Sequence, residues 1–191
     1  KLVKWVYPDK GYAHVSVIWA GMVGGVTGVN EKGVYISLNA AGSNGFRRAG
    51  TPSTLILYKV LREAATADEA IQIVREAHMF ITDIFVVGDA AGRLVKVEKS
   101  PQKTQVITAS GPFAVANHLT GRIFDNDSTN TWRMRELTSV SRESRALKLA
   151  QKIEPQASAR VKTEKILAIM RDKGMDERGQ PLHLGSRLAI D

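Results

Sequence analysis

An α+β domain with antiparallel strands is the fold class this sequence predicts, and three observations predict it. Blocks with strand and helix patterning run in the order strands, two helices, strands, two helices. The strands in the middle of the chain follow one another through short turns, which antiparallel pairing permits and parallel pairing does not. The main glycine-rich stretch, Gly21 to Gly28, leads into a strand instead of a helix, unlike the turn of a doubly wound nucleotide fold. That order is compatible with two antiparallel sheets stacked between helical layers.

Taken in turn, residues 12–20 (YAHVSVIWA) and 33–39 (GVYISLN) are rich in β-branched and aromatic residues and read as neighbouring strands. A helix follows, with Thr51 as its cap and Pro52 in its first turn, running to about Ala65. The next helix opens on a capping box of Thr66 and Glu69, and its stripe of Ala70, Ile71, Val74 and Ala77 predicts an apolar face packed on a sheet. TDIFVVGD, a turn at residues 90–92 and RLVKVEKS then make a β-hairpin, followed by strands at QVITA and FAVAN that extend the first sheet or begin a second. From about Ser128 the pattern is helical to Ile153, where Pro155 ends it, and a shorter helix runs from Ser158 to a closing Gly174. Residues 40–50, AAGSNGFRRAG, carry glycines without apolar periodicity and read as a flexible loop.

Bulk properties bound the function. With 191 residues, 43% of them apolar and 24% charged, the chain fits one domain, residues 1–191, that buries roughly 70% of its unfolded surface. No apolar run approaches the ~20 residues of a membrane span, and Lys1 to Lys10 lack a secretory hydrophobic stretch, so the sequence reads as soluble, with no membrane partner. There is no cysteine, which excludes disulfides, thiolate metal sites and an internal Cys nucleophile from this stretch. The net charge of +8 raises the question of nucleic acid. Yet the basic residues between Arg133 and Arg178 alternate with acidic ones, as on a solvated helical face, and no aromatic residue follows Trp132 to offer a stacking platform. Nucleic acid is therefore not expected as a partner.

Most familiar chemistry is missing. The glycines of GMVGGVTG are not followed by the Lys-Ser or Lys-Thr of a phosphate loop. His14, His78, His118 and His183 are scattered, without the spacing of a helical zinc pair. No G-x-S-x-G elbow surrounds Ser110. Three asparagines read differently from one another. Asn30, in GVNEKGVY, reads as a turn residue. Asn39 and Asn117 each follow an apolar run, ISL and FAVA, so each is placed either to cap a turn or to aim its amide from a strand end into a cleft. An amide donor preorganised for a developing oxyanion is worth ~3 kcal/mol of transition-state stabilisation.

GVTGVNEKGVYISLN, VVGDAAGRLVKVEKSP, FAVANH and STNTWRMREL, in that order, resemble the successive signatures of the choloylglycine hydrolase and penicillin acyltransferase-like group of N-terminal-nucleophile (Ntn) hydrolases. They cover about half of Gly25 to Leu137. The resemblance implies a four-layer αββα sandwich of antiparallel sheets, here incomplete at both ends. It also implies hydrolysis or transfer of an acyl group at the linear amide of a small molecule, without metal or organic cofactor. Among the site residues, Asn117 resembles the family's oxyanion asparagine and Asn39 its second amide donor. Arg133, or alternatively Arg135, resembles the arginine that supports the nucleophile, while Asp89, Gly92 and Glu98 match a structural hairpin. The family's cysteine, with the Arg and Asp that assist it, falls upstream of Lys1, and GSRLAID resembles the start of a segment that continues into further strands.

In this chemistry an N-terminal Cys thiol attacks the carbonyl, and its own α-amine, of ordinary pKa ~7.7–8.0, is the base. Lys1 cannot replace it. Two other readings compete: a non-catalytic relative that binds small acylated molecules, and a basic interaction protein.

Overall fold

The computed structural model describes residues 1–172 and 174. Its centre is one seven-stranded antiparallel sheet in which spatial and chain order coincide. The strands are β1 (Leu2–Val6), β2 (His14–Ile18), β3 (Thr27–Asn30), β4 (Tyr35–Ala40), β5 (Asp83–Gly88), β6 (Leu94–Lys99) and β7 (Thr104–Thr108). Between β4 and β5 the chain leaves the sheet to form α1 (Ser53–Glu63) and α2 (Ala67–Glu76). After β7 come one 3-10 turn at Arg122–Phe124 and the helices α3 (Ser128–Glu136), α4 (Ser139–Ala150) and α5 (Ala159–Met170).

The α+β class and the antiparallel pairing are as the sequence predicts. The strands after α2 extend the first sheet, so among the described residues there is one sheet.

The main core lies between the sheet and the α1–α2 pair. Ile56, Leu57, Val60 and Leu61 of α1 and Ala70, Ile71 and Val74 of α2 meet Ile36, Phe85, Val87, Val95 and Val97 of β4–β6. Strand side chains alternate between faces, so one set of alternate positions serves this core and the other points away from it. Gly28 of β3 lets α1 come close, because a Cβ there would stand 2.7 Å from Leu61 Cδ1 and 2.6 Å from the Val15 carbonyl. Asn30 is structural, as expected. Its Nδ2 donates to the carbonyls of Leu61 (3.1 Å) and Ala64 (2.7 Å) at the end of α1, and its Oδ1 accepts from Lys32 and Val34 in the β3–β4 turn.

The opposite face is of two kinds. Across β1–β4 it leaves Val3, Trp5, Val29 and Tyr35 exposed. Across β5 and β6 it is covered by residues 113–127, with Ile84 packed against Leu119 and Phe124.

Several local expectations need correction. Strands β1 and β3 add to those the sequence predicts, and β3 separates β2 from β4, which are therefore not neighbours. FAVAN forms no strand. Its backbone groups bond to side chains instead: Glu143 accepts from the Ala116 N–H, and Asn39 donates to the Val115 and Ala116 carbonyls. The helical stretch after Ser128 is broken at Leu137 and Thr138 into α3 and α4. At α1 the N-cap is Pro52, without a side-chain cap bond, so Thr51 does not cap it. Thr66 and Ser158 do cap α2 and α5, while α5 ends at Arg171, before Gly174.

Residues 40–50 are tethered rather than free. Ser43 Oγ lies 2.6 Å from Thr82 Oγ1, the Asn44 N–H donates to Asp127 and the Arg47 N–H to the Phe80 carbonyl. His183 and the GSRLAID segment lie outside the described residues. No helix among the described residues is long and apolar enough to cross a membrane.

Candidate active site

The end of β4, the loop after it, residues 115–121 and the helices α3 and α4 converge at one end of the covered face. Many of the hydrogen bonds that join them run from a side chain to the backbone.

Asn39 and Asn117 sit at the centre of this convergence and stitch the two segments reciprocally. Asn39 Nδ2 donates to the carbonyls of Val115 (3.3 Å) and Ala116 (3.4 Å). Asn117 Nδ2 donates to the carbonyl of Ala40, next to Asn39, at 2.8 Å. The Asn117 oxygen accepts from Arg142 Nη2 at 2.9 Å. A primary amide has two N–H donors and an acceptor oxygen. These partners engage the oxygen of Asn117 and one of its two N–H groups, and the residue is only half-buried. Asn39 is tied differently, since its long bonds to two carbonyls make it a latch on the 115–116 backbone.

Arg133 reaches the same region from α3. Its stem lies against Gly42, where a Cβ would stand 2.7 Å from Arg133 Cδ, and its buried Nε has no hydrogen-bond partner among the described residues. Arg135 points away, 80% exposed, and pairs with its neighbour Glu136. The structure thus links the Asn39 and Asn117 segments and sets Arg133 against Gly42, two residues beyond Ala40, whereas Arg135 faces solvent.

Two layers of support surround these residues. In the first, Glu143 Oε2 accepts from the Ala116 N–H at 2.9 Å, and its Oε1 lies 3.8 Å from His118 Nε2. Burial lowers the His118 pKa below the ordinary histidine value, with Glu143 opposing the shift. Burial likewise pulls Arg142 down from its ordinary value, with Glu143 opposing the shift.

In the second layer, Asn130 of α3 pairs its amide with both backbone groups of Leu119, each bond 2.9 Å. Asp127 caps α3 through the Asn130 N–H and also accepts from the Asn44 N–H. Asn44 in turn accepts from Ser128 and Thr129, fixing the loop after β4 to the start of α3. Glu98, fully buried on β6, accepts from the backbone N–H groups of Thr120 and Gly121, both at 2.8 Å, and pairs with buried Lys96 at 2.9 Å. Asp89 accepts from the Ala91 and Arg93 N–H groups of its own turn, the structural role expected of it.

Beneath the loop, on the α1 side of the sheet, lies Asp83. It accepts hydrogen bonds from Ser53 and from the Ala41 N–H, yet burial pushes its pKa up to about 6. Among the described residues no group of three or more His, Cys, Asp or Glu side chains is placed to hold a metal ion.

Sequence reasoning missed Arg142, Glu143, Asn130 and Asn44. Arg142 in particular lies in a stretch whose charge pattern predicts a solvated helical face, whereas it is 9% exposed. The available signal was the Asx and Ser/Thr cluster of residues 125–131, which marks a heavily capped helix start.

The fold is similar to that of solved Ntn hydrolases. A mutant of conjugated bile acid hydrolase from Clostridium perfringens aligns with a TM-score of 0.57 at 16% identity, covering 83% of this chain and 63% of that one. The N-acylethanolamine-hydrolyzing acid amidase ortholog of Caenorhabditis elegans gives 0.57 at 17% identity, covering 89% and 73%. Penicillin V acylase from Agrobacterium tumefaciens gives 0.53 at 20% identity, covering 84% and 55%. The chain thus spans less than two thirds of the bile acid hydrolase and of the acylase. No curated protein matches it. Over residues 2–187 the sequence matches the family described as acyl-coenzyme A:6-aminopenicillanic acid acyl-transferase, and the chain belongs to that family.

Proposed function

We propose that this chain, as a single domain, supplies the oxyanion-binding part of an Ntn amide hydrolase or acyltransferase acting on small acyl amides. Its nucleophile is an N-terminal cysteine outside these residues. One observation carries the reading: the half-buried Asn117 amide is held at its oxygen and at one N–H, which leaves the second N–H as an oriented donor. A donor fixed before reaction needs no reorganisation as charge develops on the carbonyl oxygen. Arg133, with its buried Nε unpaired beside Gly42, is the cation of the site, and Asn39 latches the strand end to the Asn117 segment.

In the proposed reaction the cysteine thiol attacks the amide carbonyl while the α-amine takes its proton. The oxyanion bonds to Asn117, and collapse breaks the C–N bond as the α-ammonium returns its proton to the nitrogen, which expels the amine and leaves a thioester. Water completes hydrolysis and a second amine completes transfer, each releasing the thiol. The names of two structural neighbours, a conjugated bile acid hydrolase and an N-acylethanolamine-hydrolyzing acid amidase, support this substrate class.

The test begins with the residues encoded upstream of Lys1. Protein starting at a cysteine found there is expected to turn over chromogenic acyl amides and to lose that turnover on stoichiometric labelling by iodoacetamide. The 191-residue chain alone is expected to give background hydrolysis. Turnover by that chain, which has no cysteine, would overturn the assignment.

A further inference from the structure

One peptide group stands between Asn117 and a buried acid on the α1 side of the sheet. The carbonyl of Ala40 accepts from Asn117 Nδ2 at 2.8 Å, and the N–H of the same peptide, which belongs to Ala41, donates to the Asp83 carboxyl. The N–H and C=O of a planar trans peptide point in opposite directions, so Asp83 and Asn117 bond to the two ends of one dipole. The strand register permits this. Ala40 is paired with Asp83 and Asn39 with Ile84, so alternation sets Asp83 toward α1 and Ile84 toward the covering segment that carries Asn117.

Asp83 is 3% exposed and also accepts from Ser53 at the start of α1. Burial, rather than a neighbouring charge, raises its pKa to about 6. Its cross-strand partner on β6 is Lys99, whose Nζ donates instead to the Arg75 carbonyl at 3.0 Å and to Thr104 at 3.2 Å. Burial lowers the Lys99 pKa, and Arg47 of the loop after β4 adds to that shift. From α1 and β4 the neighbours of Asp83 are the uncharged Ser53 and Ala40.

An ionised carboxylate is a stronger acceptor than a protonated one, and hydrogen bonds in a chain polarise one another by about 10–30% per bond. Charge on Asp83 therefore strengthens the Ala41 N–H bond and makes the Ala40 carbonyl a better acceptor for Asn117. We infer that Asp83 is a positioning residue, whose ionisation tightens the hold on the Asn117 amide through the Ala40–Ala41 peptide. The coupling does not depend on what Asn117 does, whereas its effect on rate rests on the oxyanion role proposed for that residue.

The coupling is read without turnover, in the isotope-labelled 191-residue chain. As pH rises, the Ala41 N–H and the Asn117 Nδ2 proton bonded to Ala40 should both move downfield with one midpoint near 6. Asp83→Asn keeps an acceptor and cannot ionise, so it should hold both signals at their acid positions throughout. Ser53→Ala removes a bond that favours the carboxylate, so both midpoints should rise together. In cysteine-bearing protein, Asp83→Asn should lower kcat by about 2–5-fold near pH 8 and leave it nearly unchanged near pH 5, with KM constant at both.

An Asn117 signal that stays still while Ala41 titrates, or that titrates as before in Asp83→Asn, would overturn the inference and leave the oxyanion reading standing. A kcat ratio between Asp83→Asn and wild type that is the same at both pH values would overturn the effect on rate. Normal kcat in Asn117→Ala would remove the oxyanion reading and that effect with it, while a shared midpoint would still establish the coupling.

Discussion

Strands β4–β6 are covered on both faces, with Tyr35 at the start of β4 left exposed, but different forces cover them. Toward α1 and α2 the contacts are Ile36, Phe85, Val95 and Val97 against Leu57, Val60, Leu61 and Val74, an apolar layer with little need for directional bonds. Toward α3 and α4 the same strands bury Lys96 and Glu98 and carry Asn39, and the covering segment is held by carboxylates and amides bonded to its backbone. The apolar face tolerates small shifts, because its attraction is non-directional. The polar face specifies positions, because each bond restricts distance and angle and each unmade one leaves a buried group unsatisfied. A catalytic amide needs the second kind of support. The difference puts the apolar scaffold on one side of the sheet and the proposed site on the other.

A pair of truncations sharpens this comparison. Glu98→Ala should destabilise by about 3–5 kcal/mol, because it strands Lys96 as a buried charge and frees the N–H groups of Thr120 and Gly121. Leu57→Ala, a fully buried truncation on the other face, should cost about 2–5 kcal/mol through lost apolar contact and a residual cavity. Replacing Lys96 and Glu98 together by apolar residues should recover most of the Glu98→Ala loss, whereas no partner substitution rescues Leu57→Ala in that way. Chemical denaturation of the four proteins is the measurement, and a Glu98→Ala cost below about 1 kcal/mol would show the polar face to be less tightly tied than its bonds imply.

Asp83 gives a pH-dependent comparison between the faces, since it lies on the α1 side of the sheet and bonds the Ala41 N–H next to the site. Its pKa is raised from 3.8 to about 6, so the native state holds a proton that the unfolded chain has already released. The sign follows: the cost is absent below pH 3.8, grows as pH rises towards 6 and is fully present above it. Two units correspond to about 3 kcal/mol. Asp83→Asn keeps an acceptor for Ser53 and Ala41 without the charge. Relative to wild type it should gain up to about that amount between pH 4 and pH 7 in urea titrations. A constant difference between the two proteins across that range would contradict the assignment.

How much of this was legible in the sequence differs between the faces in the same way. The helix pair, the β5–β6 hairpin and the apolar stripe of Ala70, Ile71 and Val74 follow from local periodicity and capping, both of which act within a few residues. Strands β1 and β3 were obscured because glycine and polar turn residues crowd their ends. β3 has only four residues, one of them Gly28, whose small size serves packing against α1.

On the polar side, Asn39, Asn117 and Arg133 were visible through their motifs. Their supports were not. Arg142 sits in a run of alternating charges, and only its approach to a residue 25 positions earlier distinguishes it from the exposed Arg160. FAVAN has the composition of a strand, but in this chain its carbonyls and N–H are taken by Asn39 and Glu143, partners that no local pattern encodes.

The central claim is that the polar side of the sheet exists to hold one amide N–H in place. Turnover of cysteine-bearing Asn117→Ala protein, normalised by active-site titration and run well below its melting temperature, tests this most directly. Loss of one preorganised donor should lower kcat by about 10²–10³-fold while KM changes little. The fold should lose about 1–3 kcal/mol from the bonds to Ala40 and Arg142. A folded Asn117→Ala protein with near-normal kcat per titrated site would mean that Asn117 only fastens the segment to β4 and α4, and the account would be wrong.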